Sequence, residues 1–201
     1  MNGWHRGLPD DVMALYSGAM KTLAISCSLD PDSRSRQLAL AAIGHLRHLR
    51  AEAMLLDLRD LGLPMCDGDE AFEAPVVGEL ASQVRHAGSI LLATPVYNYN
   101  VSAAAKNMIE LTGKAWTGKV VGFLCAAGGR SSYMSVMGLA NSLMLDFRCL
   151  IVPRFVYATG EDYQDGRLVN EKVRSRIQEL CETTLKLAEV FNPLSTEPST
   201  R

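Results

Sequence analysis

The feature that most limits how this 201-residue chain can fold is an alternation: apolar runs rich in Val, Ile, Leu and Ala, each followed by a stretch with apolar residues at helical spacing. Residues 22–26, 53–58, 89–94, 119–126 and 150–157 read as strands, and residues 33–49, 75–87, 103–112, 131–147 and 170–191 as helices. Continuous apolar runs, unlike every-other-residue patterns, mark strands buried on both faces, which calls for a parallel sheet with helices on both sides. The expected architecture is an α/β three-layer sandwich with a five-stranded parallel sheet. Right-handed crossovers favour the order 2-1-3-4-5, which places ligands beyond the strand C-termini where the order reverses.

Local signals agree with this division. Pro75 suits a first helical turn, where a missing N–H costs nothing, and Asn170 is a candidate N-cap with Val173, Ile177, Leu180 and Thr184 following at helical spacing. Residues 116–119, Trp-Thr-Gly-Lys, read as the turn into the fourth strand. The expected organisation is an N-terminal arm over residues 1–20, one domain over 21–192 and a flexible tail over 193–201. Met20 stands directly before the first strand.

A formal net charge of -2 lacks the basic surplus that nucleic acid or an anionic membrane demands. The longest apolar runs, residues 89–96 and 120–127, fall far short of the roughly 20 residues of a membrane-spanning helix. His5 and Arg6 are followed by Pro9, Asp10 and Asp11 rather than an apolar core, so no signal peptide is expected. Five cysteines form no CxxC pair and mostly sit in apolar stretches, which fits a reducing, cytoplasmic setting. His5, His45, His48 and His86 show no metal-ligand spacing with them, and no metal is expected.

The loops after the first, third and fourth strands should meet at one edge of the sheet. In the first, residues 27–36, hydroxyls coincide with a helix start near Ser33 or Arg34, where free N–H groups and the positive dipole end favour an oxyanion. Arg34 or Arg36 would add charge. Taken alone, the loop is equally explained by Asp32 or Ser33 capping the helix beside solvated arginines, and Asp30 and Asp32 oppose an anion.

The third-strand loop, Thr94-Pro95-Val96-Tyr97-Asn98 with Lys106-Asn107 further on, resembles a segment of the NADPH-dependent FMN reductase family, which includes flavodoxin-like quinone and azo-dye reductases. Residues 27–38 resemble that family's G-S-L-R-x-x-S-x-N-R-x-L phosphate loop, and residues 126–131 its glycine-rich flavin loop. The resemblance spans roughly residues 22–191 and implies a flavodoxin-like fold with FMN as cofactor and NADPH as electron donor. It implies that Ser28, Ser33, Arg34 and Ser35 serve the phosphate. Pro95, Val96, Tyr97 and Asn98 would then meet the flavin ring, joined by Ala127, Gly128, Gly129 and Arg130. It also implies a homodimer or homotetramer, with a small acceptor such as a quinone, free flavin or azo compound. No side chain is expected to act as general acid or base, because the flavin does the chemistry. Four residues depart from the pattern: Cys27 for Gly, Asp30 for Arg, Ser35 for Asn and, at a position expected to contribute mainly its backbone, Val96 for Glu. Asp30 removes one charged phosphate contact, so weaker FMN binding is expected.

Several residues have plainer readings. Tyr99 and Asn100 serve a turn as readily as a ligand, and Lys106 and Asn107 are expected to support the loop or a subunit contact. Met134, Met137 and Met144 read as core or interface filler, and Cys27 and Cys125 as buried small side chains. A non-catalytic flavodoxin-type electron carrier and a flavin-binding sensor remain open alternatives.

Overall fold

The computed structural model describes residues 21–195; the expected N-terminal arm and residues 196–201 of the expected tail lie outside them, and residues 193–195 are helical. The strands β1 (Thr22–Ser26), β2 (Ala53–Asp57), β3 (Ser89–Tyr97) and β5 (Val120–Ala126) stand parallel in the order β2-β1-β3-β5. The fifth position is shared by two short strands, β6 (Leu150–Ile151) and β7 (Val156–Ala158), both parallel to β5. This is the expected 2-1-3-4-5 path. The helices α1 (Arg34–His48), α2 (Pro75–His86), α3 (Ala103–Thr112), α4 (Met137–Phe147) and α5 (Glu171–Ser195) cover it. Among the described residues, no helix is long and apolar enough to cross a membrane.

The two layers of core follow from the period of two along each strand. Leu23, Ile25 and Ile90 point to the layer holding Leu80 and Val84 of α2, Met108 and Ile109 of α3 and Leu143 of α4. Ala24, Leu91 and Leu124 point to the other, with Leu38, Ala42 and Leu46 of α1 and Ile177 and Leu180 of α5. Fully buried Trp116 keeps its polar edge satisfied by donating from Nε1 to Thr112 Oγ1 at 2.7 Å. Lys119 donates from Nζ to the carbonyls of Arg85 (2.6 Å) and Ala87 (2.8 Å), closing the C-terminal end of α2.

Three elements differ from expectation. The fifth strand breaks because Pro153 has no N–H for the ladder and Arg154 is left-handed at φ 58°. The helix expected from residue 131 begins as a 3-10 turn, Tyr133–Val136, and becomes α-helical only at Met137, since Ser132 Oγ is bonded to Tyr157 Oη at 2.8 Å. Helix α5 runs past Phe191 to Ser195, carried by Ala188 and Phe191 against the second core layer. Beyond the main path, β3 turns back into β4 (Asn100–Val101), and β8 (Tyr163–Gln164) pairs with β9 (Arg167–Leu168).

At Gly122 of β5 the packing leaves no room for a side chain: a Cβ there would lie 2.9 Å from Leu91 Cδ2 and 3.2 Å from Leu180 Cδ1 of α5. Gly122→Val is expected to cost about 1–3 kcal/mol, read as a lower urea midpoint at unchanged slope.

Candidate functional site

Because β1, β3 and β5 are adjacent and parallel, the loops that leave their C-terminal ends share one edge of the sheet. Between β1 and β3 the chain order reverses, which is where ligands bind in open α/β sheets. In the first loop Ser33 caps α1, its Oγ accepting the Arg36 N–H at 3.1 Å and bonding Ser35 Oγ at 3.0 Å. The N–H groups of Arg34 and Ser35, in the first turn, have no partner four residues back. That turn carries no carboxylate, so nothing in it opposes an anion.

Charged side chains around the loop are already engaged. Arg36 Nε donates to buried Asp57 Oδ2 at 2.8 Å, tying α1 to the end of β2. Arg34 lies over the Tyr163 ring, 5.8 Å from its centroid, and Tyr163 Oη donates to the Arg34 carbonyl at 3.1 Å. Burial raises the Tyr163 hydroxyl well above the ordinary tyrosine value, so it stays a donor. Asp30 folds back on the loop, its Oδ1 accepting the Asp32 N–H at 2.9 Å.

The second loop is a hairpin. Tyr97 pairs with Asn100, and the two residues between them are both left-handed, Asn98 at φ 49° and Tyr99 at φ 61°, which defines a type I′ turn. Asparagine tolerates this conformation; tyrosine holds it at a cost of about 1–2 kcal/mol. Tyr97 and Tyr99 are exposed at 54% and 67%. Behind the turn, Ser102 donates from Oγ to the Cys27 carbonyl at 2.8 Å and accepts the Ala105 N–H at 3.2 Å, capping α3. Its own N–H meets Thr94 Oγ1 at 3.2 Å. Between the hairpin and α4 lies a cavity of about 700 Å³ lined by Tyr97, Asn98, Lys106, Gly138, Leu139 and Ser142.

In the third loop Ala127 donates to the Ala158 carbonyl at 2.8 Å, and Tyr157 Oη donates to the Gly129 carbonyl at 2.6 Å. Gly128 and Gly129 are exposed, neither is left-handed, and a Cβ at either would meet no atom within 4 Å. Nothing in the protein's own packing requires glycine at these two positions. A ligand lying against that backbone would.

Residues 20–164 match the family model of NADPH-dependent FMN reductases. The chain belongs to the NADPH-dependent FMN reductase family. It is 30% identical over 174 residues to an NAD(P)H-dependent FMN reductase of Pseudomonas aeruginosa, spanning 81% of this chain and 92% of that one. It is 27% identical to an NADPH:quinone oxidoreductase of Arabidopsis thaliana, over 80% of this chain and 88% of that protein. In fold it is similar to the flavoenzyme NAD(P)H:(acceptor) oxidoreductase of Paracoccus denitrificans, with a TM-score of 0.72 at 22% identity, covering 86% of this chain and 98% of the other. FMN is accordingly the cofactor of this reductase and NAD(P)H its electron donor.

The residues of this reductase fit that cofactor. Ser28, Ser33 and Ser35 offer buried hydroxyls beside the α1 N-terminus, Tyr97 and Asn98 form an exposed turn, and the backbone of Gly128 and Gly129 is open to close approach. Pro95, Val96 and Ala127 lie in or beside the strand ends that carry the loops. Two predicted contacts are otherwise occupied: Arg34 stacks on Tyr163, and Arg130 forms an exposed ion pair with Glu161 at 2.7 Å. Asn107 ties α3 to residues 64–66, donating to the Pro64 carbonyl and accepting the Cys66 N–H at 2.8 Å each, while Lys106 pairs with Glu110. Sequence reasoning missed Ser102 as a clamp and Asp57 as the partner of Arg36. The signal for Ser102 was its place three residues before Ala105, as an N-cap.

The thiols of Cys27 and Cys125 beside the site are fully buried. Burial raises Cys27 and Cys125 far above the ordinary thiol range, with Asp57 adding to the effect at Cys27. Iodoacetamide at mild alkaline pH should therefore label half-buried Cys66 and leave Cys27 and Cys125 unmodified, by peptide mass mapping. Ser102→Ala removes the cap and the tie to Cys27, and should cost about 2 kcal/mol in denaturant unfolding while also weakening FMN binding.

Proposed function

We propose that the reductase holds FMN across the ends of β1, β3 and β5 and passes electrons from NADPH to a small acceptor such as a quinone, a free flavin or an azo compound. The observation that carries this reading is the bare backbone of Gly128 and Gly129, which faces open space at the edge where the α1 N-terminus and the Tyr97–Asn98 turn also end. The first-turn N–H groups of α1, with Ser28, Ser33 and Ser35, would bind the phosphate. The Pro95–Asn98 segment and the backbone of residues 127–129 would grip the ring. Bound FMN supplies the two-electron relay between nicotinamide and acceptor.

The remaining side chains position and exclude. Tyr97, exposed at the cavity rim, would shield one edge of the ring from water, and the Asn98 amide would orient it. The 700 Å³ cavity between the hairpin and α4 has the volume of a small-molecule site and would admit the acceptor. Met134, Met137, Met144 and Leu145 are exposed, the first at 61% and the last at 82%, so they are not core. Such a patch on and before α4 fits a second copy of the chain, giving a homodimer or homotetramer, and buried free cysteines fit the cytoplasm.

Anaerobic titration of the FMN-loaded protein with NADPH tests the reading. The flavin band should bleach and return on adding a quinone. A band that stays unbleached with both NADPH and NADH would leave a carrier or a sensor instead. Asp30→Arg should tighten FMN binding about tenfold and leave riboflavin, which has no phosphate, almost unaffected. Equal effects on both flavins would remove Asp30 from the phosphate site.

A further inference from the structure

A second cavity, of about 270 Å³, opens where the fifth strand breaks, lined by Tyr133, Phe155, Tyr157, Lys172, Val173 and Arg176. The break makes it. Left-handed Arg154 carries the chain out of the sheet, and Phe155 stacks on Tyr133 with centroids 4.6 Å apart and planes at 24°. The bulge is pinned: Arg176 donates from Nη2 to the Arg154 carbonyl at 3.1 Å and pairs with Glu179 through Nη1 at 2.9 Å. Tyr157 stands edge-on to Tyr133, at 5.5 Å and 63°, and the same Tyr157 hydroxyl bonds the Gly129 carbonyl. One aromatic wall thus separates this cavity from the glycine loop.

The lining pairs flat apolar rings with positive charge. Among the described residues, neither Lys172 nor Arg154 forms an ion pair. Aromatic faces take a planar ring, and an unneutralised ammonium beside them takes an anion. A hole of this size is smaller than the ~300–1,000 Å³ that encloses a whole drug-sized ligand. It has room for one end of a longer molecule and not for the whole of one.

We propose that this cavity receives the adenine and ribose 2′-phosphate of NADPH, the base against Tyr133 and the phosphate at Lys172. The assignment rests on the reading of Gly128 and Gly129 as the flavin rim, and it makes the reductase prefer NADPH over NADH.

Calorimetric titration of adenosine 2′,5′-bisphosphate into the FMN-loaded protein and its Lys172→Glu variant tests this, alongside KM values for both nucleotides. Saturable binding is expected, weakened about tenfold in the variant, with a similar rise in the ratio of the NADPH KM to the NADH KM. Undiminished bisphosphate affinity in the variant, or an unchanged ratio, overturns the proposal. If neither nucleotide reduces the flavin, the functional reading fails separately, and the titration still decides the cavity: binding that Lys172→Glu weakens supports it, and no binding to the unaltered protein overturns it.

Discussion

The hydroxyl of Ser102 is the interaction on which the geometry of the site depends. It reaches from the start of α3 to the carbonyl of Cys27 at the end of β1, while the Ser102 N–H takes the hydroxyl of Thr94 on β3. A single buried residue therefore sets the spacing between the loops after β1 and β3, which on the proposed reading meet the phosphate and the ring of one cofactor. Ser102 is buried, so an unmade bond there would leave buried polar groups unsatisfied. A second tie, Arg36 to Asp57, fixes the first turn of α1 against β2. With both in place, the α1 N-terminus is aimed before any ligand arrives, and less ordering entropy is lost on binding.

The hairpin after β3 shows how the stable part of the fold supports a strained one. Tyr99 sits in a left-handed conformation that a glycine would adopt freely. Antiparallel pairing of Val96 with Val101, anchored by the buried β3 and the Ser102 cap, holds the turn in that shape. Strain of this kind persists only where the neighbours over-determine it, and it collects at ligand sites. Tyr97 is thereby presented at the mouth of the cavity, and neither tyrosine packs against the core.

Much of the layout was legible in the chain because it rests on burial. Strand β1 matched its apolar run in full, and α3 began after Ser102 and ended at Gly113 as propensity and capping dictate. The T-P-x-Y-N loop and the Gly-Gly loop were recognisable as segments, and the topology brought them to the same edge. What escaped notice rests on pairings between residues distant in sequence. Nothing local to Arg34 indicates that it will lie on Tyr163, or that Arg36 will be spent on Asp57. The break of the fifth strand was signalled only by Pro153, since Arg154 carries no mark of a left-handed residue. The hairpin was hidden because Asn-Tyr is a weak type I′ pair beside Asn-Gly.

We propose that Gly128 and Gly129 are glycine for the flavin and not for the fold. Gly128→Val measures this most directly, through thermal unfolding of the FMN-free protein together with FMN titration. A Cβ there meets open space, so the melting temperature should stay within about 2 °C of the parent value, while FMN affinity should fall by at least about tenfold. An unchanged FMN affinity in a folded Gly128→Val protein would move the ring away from this loop.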